Sequence, residues 1–402
     1  MAGKSGILPL PALKILSALI GCALSTAALA APDELTLGSG QGYPLCTRLD
    51  DPSCLVALWS RMDEVAPARK VRKSETPRAF KRAAKEPDLG LDYWLERNRN
   101  TGLLVMKDGE ILAERYQYER TSEHRLASAS MAKTVVAMLI GIALHEKKIE
   151  SIDDRAERYV PGLKGHPYGE TRLRHLLTMS SGVKFVEMYD GKDDASILAS
   201  LSARQKSEGG VATVLPFTTR NRAPGERFSY ASAETQVLGL VLREALGRPL
   251  ADYLSEKVWQ PMGAEADASW LIDRGGYEVA YCCLNATLRD WARFGMLLAN
   301  YGALDGRQVI PEAWVRAATR AEAPHLRVGT ATRFNGYGYQ TWLIHASEPR
   351  FAALGVRGQA VMIDAKLKLV VVHTAVHAHM RDAEARAKQY ALWDHLVARL
   401  SQ

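Results

Sequence analysis

The 402-residue sequence predicts a mixed α/β (α+β) fold in which an antiparallel sheet, flanked by N- and C-terminal helices, is interrupted by an inserted all-helical lobe. Three observations predict it. Strand-like apolar runs stand near both ends of the chain, at 103–116 and 358–372, while the stretch from about 150 to 300 has helical texture. Between them, residues 134–144 are apolar nearly all round, which a helix tolerates only at the centre of a domain. Hydrophobic residues make up 47% and charged residues 24%, which excludes disordered and fibrous classes.

The first thirty residues read as a secretory signal. Lys4 and Lys14 precede the apolar run Ile15 to Leu29, and Ala28-Leu29-Ala30 closes it with a small-x-small pattern, so cleavage is expected near Ala30 and the mature protein in the periplasm or outside the cell. The run is too short and wrongly flanked for a stable membrane span. Leu19-Ile20-Gly21-Cys22 offers an alternative, a lipoprotein anchored at Cys22, against which the apolar residues after Cys22 count.

Residues 31–89 read as an N-terminal extension or linker. They carry Arg69, Lys70, Arg72, Lys73, Arg78, Lys81, Arg82 and Lys85 with no interleaved aromatics, which describes a solvated segment rather than a nucleic-acid surface. The net charge of +7 includes the two signal lysines, so the mature chain is only mildly basic. In an oxidising compartment Cys46 and Cys54 are expected to form a local disulfide, whereas Cys282 and Cys283 read as two small buried residues unable to bridge easily to each other.

The folded domain is expected over 90–402. An amphipathic stretch at Tyr93-Trp94-Leu95 leads into Leu103 to Met106, a Lys107-Asp108-Gly109-Glu110 turn and Ile111 to Tyr116; Asp-Gly between two apolar runs is a strong hairpin signal. The central helix begins at Ser130. Near the other end, strands over Gly358–Ile363 and Leu367–Val372 are joined by Asp364-Ala365-Lys366, and a closing helix runs from about Asp382 to Leu400.

Chemistry enters at Ser130-Met131-Ala132-Lys133. Residues at i and i+3 share one helix face, so the amine of Lys133 folds back towards the hydroxyl of Ser130 and sets a base beside a nucleophile. At the start of a helix, free backbone N–H groups also favour an oxyanion. Lysine ordinarily titrates near 10.4, so a neutral amine at pH 7 needs a shift of about three units from burial and neighbouring charge.

Further along stand Leu173-Arg174-His175-Leu176-Leu177-Thr178-Met179-Ser180-Ser181-Gly182, then Pro224-Gly225-Glu226-Arg227-Phe228-Ser229-Tyr230-Ala231-Ser232, then Gly355-Val356-Arg357-Gly358-Gln359. Taken in order with Ser-x-x-Lys, these motifs resemble the penicillin-recognising serine hydrolase superfamily, with its β-lactamase/transpeptidase-like fold. Within it the chain is most similar to class C β-lactamase-like esterases and 6-aminohexanoate-dimer hydrolases, over roughly residues 90–400.

The resemblance implies Ser130 as nucleophile, Lys133 as its activating partner and Tyr230 as the phenol that shuttles protons, with an ammonium at Lys133 favouring a tyrosinate. It implies an oxyanion hole from the N–H groups of Ser130 and Val356, and substrate contacts at Tyr189, Ser232, Trp342 and Gly355. Ser232 stands where β-lactamases carry asparagine in Tyr-x-Asn, and Ala353-Leu354-Gly355 stands where they carry Lys-Thr-Gly; both changes weaken an antibiotic-binding reading. Arg357 is expected either to receive a carboxylate or to point to solvent.

The function these residues imply is an exported serine hydrolase cleaving an ester or linear amide of a small molecule through an acyl-enzyme, without a cofactor. Two rivals stand beside it: a peptidoglycan DD-peptidase or β-lactamase, and a noncatalytic cell-envelope binding protein on the same fold. His373, His377 and His379 share strand parity, but without a His-Glu-x-x-His motif or a carboxylate partner they read as structural, and no metal is expected.

Overall fold

A computed structural model describes residues 1–3, 31–37, 46, 51–203 and 207–401. Residues 4–30, including the expected leader and Cys22, lie outside the described residues.

Period-2 alternation builds the main sheet. Its eight strands run, in spatial order, Gly336–Tyr337, Trp342–Leu343, Arg350–Leu354, Ala360–Asp364, Leu369–Ala375, Asn100–Lys107, Glu110–Tyr116 and Lys81–Arg82. All neighbours pair antiparallel except the last, which is parallel. The two ends of the domain meet where Leu369–Ala375 pairs with Asn100–Lys107, placing Val371 opposite Val105 and Val372 opposite Leu104. The Asp108-Gly109 turn forms as expected, with φ of 51° and 81°, the pair of positive values a two-residue hairpin of this hand requires.

Alternation then sorts the core into two layers. Leu103, Val105, Met362 and Val371 face the short helix Leu91–Leu95 and the closing helix Ala383–Leu400, which brings Leu392, Trp393 and Leu396. Leu104, Met106, Val361 and Val372 face the larger core, containing the helices Met131–His145 and Leu288–Ala299. Among the described residues, no helix is long and apolar enough to cross a membrane.

The inserted lobe differs from the all-helical expectation. Helices Leu173–Leu177, Asp194–Ala203, Ser232–Leu246 and Leu250–Leu254 are joined by a second sheet in the order Ala68–Val71, Ala268–Leu271, Leu284–Ala286 and Leu126–Ala127. Its first strand comes from the segment expected as a linker. Arg69 and Lys70 pair with Trp270 and Ser269 in register, the Arg69 guanidinium meets the buried carboxylate of Glu278 at 3.2 Å, and Val71 is fully buried. Dense charge hid the strand, because at a sheet edge the arginine and lysine stems lie along the surface while their heads stay in water.

Candidate active site

The central helix forms as its apolar sequence dictates, with Ser130 at its N-cap and thirteen of its residues buried. The turn before it is tight: Ala129 has φ 45°, a left-handed value that presents the next residue outward from the end of the Leu126–Ala127 strand. Helical spacing brings Lys133 Nζ to 3.0 Å from Ser130 Oγ and 2.8 Å from the carbonyl oxygen of Tyr281. Lys133 is 1% exposed. Burial pushes its pKa down to about 8, against the opposing pull of the Glu187 carboxylate. The remaining gap to neutral pH is about one unit, so roughly a tenth of the molecules carry a free amine at pH 7.

Tyr230 arrives from the other lobe, two residues before the Ser232–Leu246 helix. Its ring stacks on Trp342 at 5.3 Å between centroids and 21° between planes, meets Tyr337 edge-on at 6.2 Å, and lies 5.2 Å from Lys133 Nζ. Burial, and then the Glu187 charge, hold the phenol above the ordinary tyrosine range, while contact with the Ser130 hydroxyl works the other way. Burial thus favours the neutral phenol over the expected tyrosinate, against the Ser130 contact and the Arg381 and Arg386 charges.

The sheet supplies the opposite wall. Strand Arg350–Leu354 ends at Gly355, where a Cβ would lie 2.6 Å from the Ser128 carbonyl oxygen and 2.8 Å from Ala129 Cβ, so only glycine allows this strand end to reach the nucleophile turn. Gly355 donates its N–H to Gln359 O at 2.8 Å and its carbonyl accepts from the Arg386 guanidinium at 2.5 Å, which makes it a packing residue rather than the expected substrate contact. Val356 opens the short turn Val356–Gly358 that follows. Among the hydrogen bonds of the described residues, the N–H groups of Ser130 and Val356 have no partner.

The remaining expected contacts are placed differently. The Ser232 hydroxyl and N–H donate to Glu187 at 2.9 and 2.8 Å, and the Tyr189 hydroxyl donates to the same carboxylate. Ser232 is thus committed to the support of Glu187. Glu187 itself, 8% exposed, is the residue sequence reasoning missed; its only signal was a carboxylate two positions before Tyr189. Trp342 is partly exposed and backs Tyr230. Arg357 does neither of the expected things: it is buried, at φ 56°, and donates to the carbonyls of His377 and Ala378 at 2.6 and 3.1 Å.

His373 and His377 are buried and held neutral, each pushed down to about 3 chiefly by burial. His373 Nδ1 bonds the Gly358 carbonyl at 2.6 Å, behind the Val356 turn. His379 is exposed, so the three rings do not converge. Cys46 and Cys54 are disulfide-bonded, as expected. Cys282 and Cys283 are also bonded to each other, against expectation, with Cα atoms 3.8 Å apart. The adjacent positions close because Cys283 adopts a left-handed φ of 68°.

Comparison with known proteins places the chain in a family. The chain is 27% identical over 357 residues to the 6-aminohexanoate-dimer hydrolase of Paenarthrobacter ureafaciens, covering 85% of this chain and 88% of the relative. It is 24% identical over 199 residues to a candidate D-alanyl-D-alanine carboxypeptidase of Escherichia coli strain K12, covering 43% of this chain and 45% of that protein. A candidate 6-aminohexanoate-dimer hydrolase from Bacillus anthracis superimposes with a TM-score of 0.78 at 25% identity, over 93% of this chain and all of its own. The beta-lactamase family profile matches residues 95–392, about three quarters of the sequence, and with a hydrolase fold of this kind the chain belongs to the beta-lactamase family.

Proposed function

We propose that this protein is an exported serine hydrolase that cleaves an ester or linear amide bond through an acyl-enzyme on Ser130. The observation that carries the reading is the 3.0 Å contact between a buried lysine amine and the Ser130 hydroxyl, with the lysine titrating near 8. In the neutral fraction, Lys133 accepts the Ser130 proton as Oγ attacks the carbonyl carbon. Charge builds on the carbonyl oxygen between the N–H groups of Ser130 and Val356, each such donor being worth about 3–4 kcal/mol in comparable sites. Tyr230, still protonated, donates to the leaving oxygen or nitrogen and is recharged from Lys133. Water then attacks the acyl-enzyme along the reverse proton path, with Tyr230 as acceptor.

The wall supports a substrate without a recognised carboxylate at the β-lactam position. Ala353 and Leu354 are apolar and buried where Lys-Thr would bind that group, which favours linear amides or esters over β-lactams. Likeness to the 6-aminohexanoate-dimer hydrolase favours the amide, and the partial likeness to a candidate D-alanyl-D-alanine carboxypeptidase keeps a peptidoglycan peptide as the second reading. Export rests on the leader sequence and is supported by the Cys46–Cys54 disulfide, a bond of oxidising compartments.

The test is a panel of p-nitrophenyl butyrate, linear aminohexanoate amides, D-alanyl peptides and penicillin, with mass detection of the acylated peptide. Turnover of the first two with acyl mass on Ser130 is expected. Stable labelling by penicillin with turnover of D-alanyl peptides alone would instead select the peptidase. No reaction with any of them or with a fluorophosphonate would mark a binding protein.

A further inference from the structure

The Cys282–Cys283 bond stands at the one place where a single loop grips both sides of the nucleophile. On one side the Tyr281 carbonyl accepts from Lys133 Nζ at 2.8 Å. On the other, Leu284 N–H donates to Ser128 Oγ at 3.1 Å and Leu284 O accepts from Ser128 N–H at 3.0 Å, two residues before Ser130. The two cysteines are the whole of the chain between these contacts. Both residues are partly exposed.

The backbone here is held against its preference. Cys283 at φ 68° occupies the left-handed region, which L-residues other than glycine rarely adopt. Hydrogen bonds from Leu271 N–H and the Asn285 amide to Cys283 O, at 3.1 and 3.4 Å, resist its relaxation, but the ring closed through the two sulfurs is the covalent restraint. Once that ring opens, Cys283 gains by turning back to an ordinary φ, and the Tyr281–Cys282 peptide is left to hydrogen bonds such as Cys282 N–H to Val279 O at 3.2 Å, without a covalent restraint.

We propose that Cys282–Cys283 is a thiol-exchange site that positions Lys133 when oxidised and slackens it when reduced. The proposal rests on the serine-hydrolase reading for its effect on turnover. The ligand class is a small-molecule or protein dithiol. A thiolate of the dithiol attacks one protein sulfur, forming a mixed disulfide and releasing the other cysteine as thiolate; the second thiol of the dithiol then displaces the first cysteine. Two electrons pass from the dithiol to the protein bond, leaving two protein thiols and an oxidised, cyclic dithiol. Lys133 then loses a fixed acceptor, and since displacing a catalytic group by about an ångström costs up to a hundredfold in rate, turnover falls.

The experiment treats the oxidised full chain with dithiothreitol, using Cys46→Ser/Cys54→Ser protein as well as wild type so that the remote disulfide is excluded as the cause. Alkylation and mass mapping report which cysteines have opened. With p-nitrophenyl butyrate, kcat should fall at least about tenfold while KM stays within about twofold, and diamide should restore kcat. Cys282→Ser/Cys283→Ser protein should begin at the low kcat and ignore dithiothreitol. Trp270, whose indole N–H donates to Cys282 O and Val279 O at 3.1 Å each, reads the loop independently of any activity through its fluorescence.

Unchanged kcat with Cys282 and Cys283 shown open, or wild-type kcat in the double variant, would overturn the proposal. So would unchanged Trp270 emission on reduction. If oxidised wild type shows no turnover and no fluorophosphonate labelling, the hydrolase reading fails instead, and the fluorescence and mass readouts still decide whether the thiol-sensitive loop exists.

Discussion

At the residue scale, the site turns on how burial moves protons. On the proposed mechanism Ser130→Ala removes the attacking atom and should lower kcat at least about a thousandfold while leaving the melting temperature within a few degrees; an unaltered rate would reassign the nucleophile. Lys133 must be neutral to act as base, and its pKa is lowered to about 8, so kcat/KM should rise with pH through about 8 and level above it. Glu187 favours the ammonium form, so Glu187→Gln should move that rising limb to lower pH; a limb that stays in place would show that the carboxylate only ties down Ser232 and Tyr189. Ser130 and Lys133 were legible because three residues of helix set their spacing. Glu187 was not, since nothing local says which of 45 acidic side chains will be buried where its charge is felt at Lys133.

Secondary-structure elements govern how closely the two walls of the site approach. Strand Arg350–Leu354 delivers the Val356 N–H only because Gly355 lets it press on the Ser128–Ala129 turn. Gly355→Ala places a methyl 2.6 Å from the Ser128 carbonyl oxygen, where backbone must move, and should cost about a hundredfold in kcat with a smaller effect on KM. Circular dichroism should remain native; equal loss in kcat and fold would point to a general packing defect. The strand was legible only through the family resemblance, which sets Ala353-Leu354-Gly355 where β-lactamases carry Lys-Thr-Gly. Its turn was not: Arg357 swings inward to His377 and Ala378, a contact made by a segment twenty residues further on.

For the whole molecule, residues 51–71 pack into the fold. Val56, Leu58, Trp59, Met62 and Val71 are buried, and at about 2 kcal/mol each they contribute on the order of 10 kcal/mol, comparable with the net stability of an ordinary domain. A chain beginning at residue 90 should therefore lack cooperative unfolding and activity, measured by thermal melt and ester hydrolysis. A folded, active product would return the segment to the status of a linker. Charge density misled the sequence reading here, because an edge strand with one buried valine beside an arginine and a lysine has the composition of a solvated tether.

What the sequence determined alone was whatever depends on neighbours within a turn or two: the pairing of Ser130 with Lys133 on one helix face, the Asp108-Gly109 hairpin, the alternation that sorts Leu103 from Leu104, and the order of motifs that marks the family. The tertiary structure decided what depends on segments meeting from far apart. Tyr230 stacked on Trp342, Ser232 committed to Glu187, and the strand at Ala68–Val71 paired with Ala268–Leu271 are all of this kind. Helix and turn geometry is written into a few adjacent dihedrals, whereas burial, and the pKa of a group such as Lys133 with it, is set by which distant surfaces exclude water together.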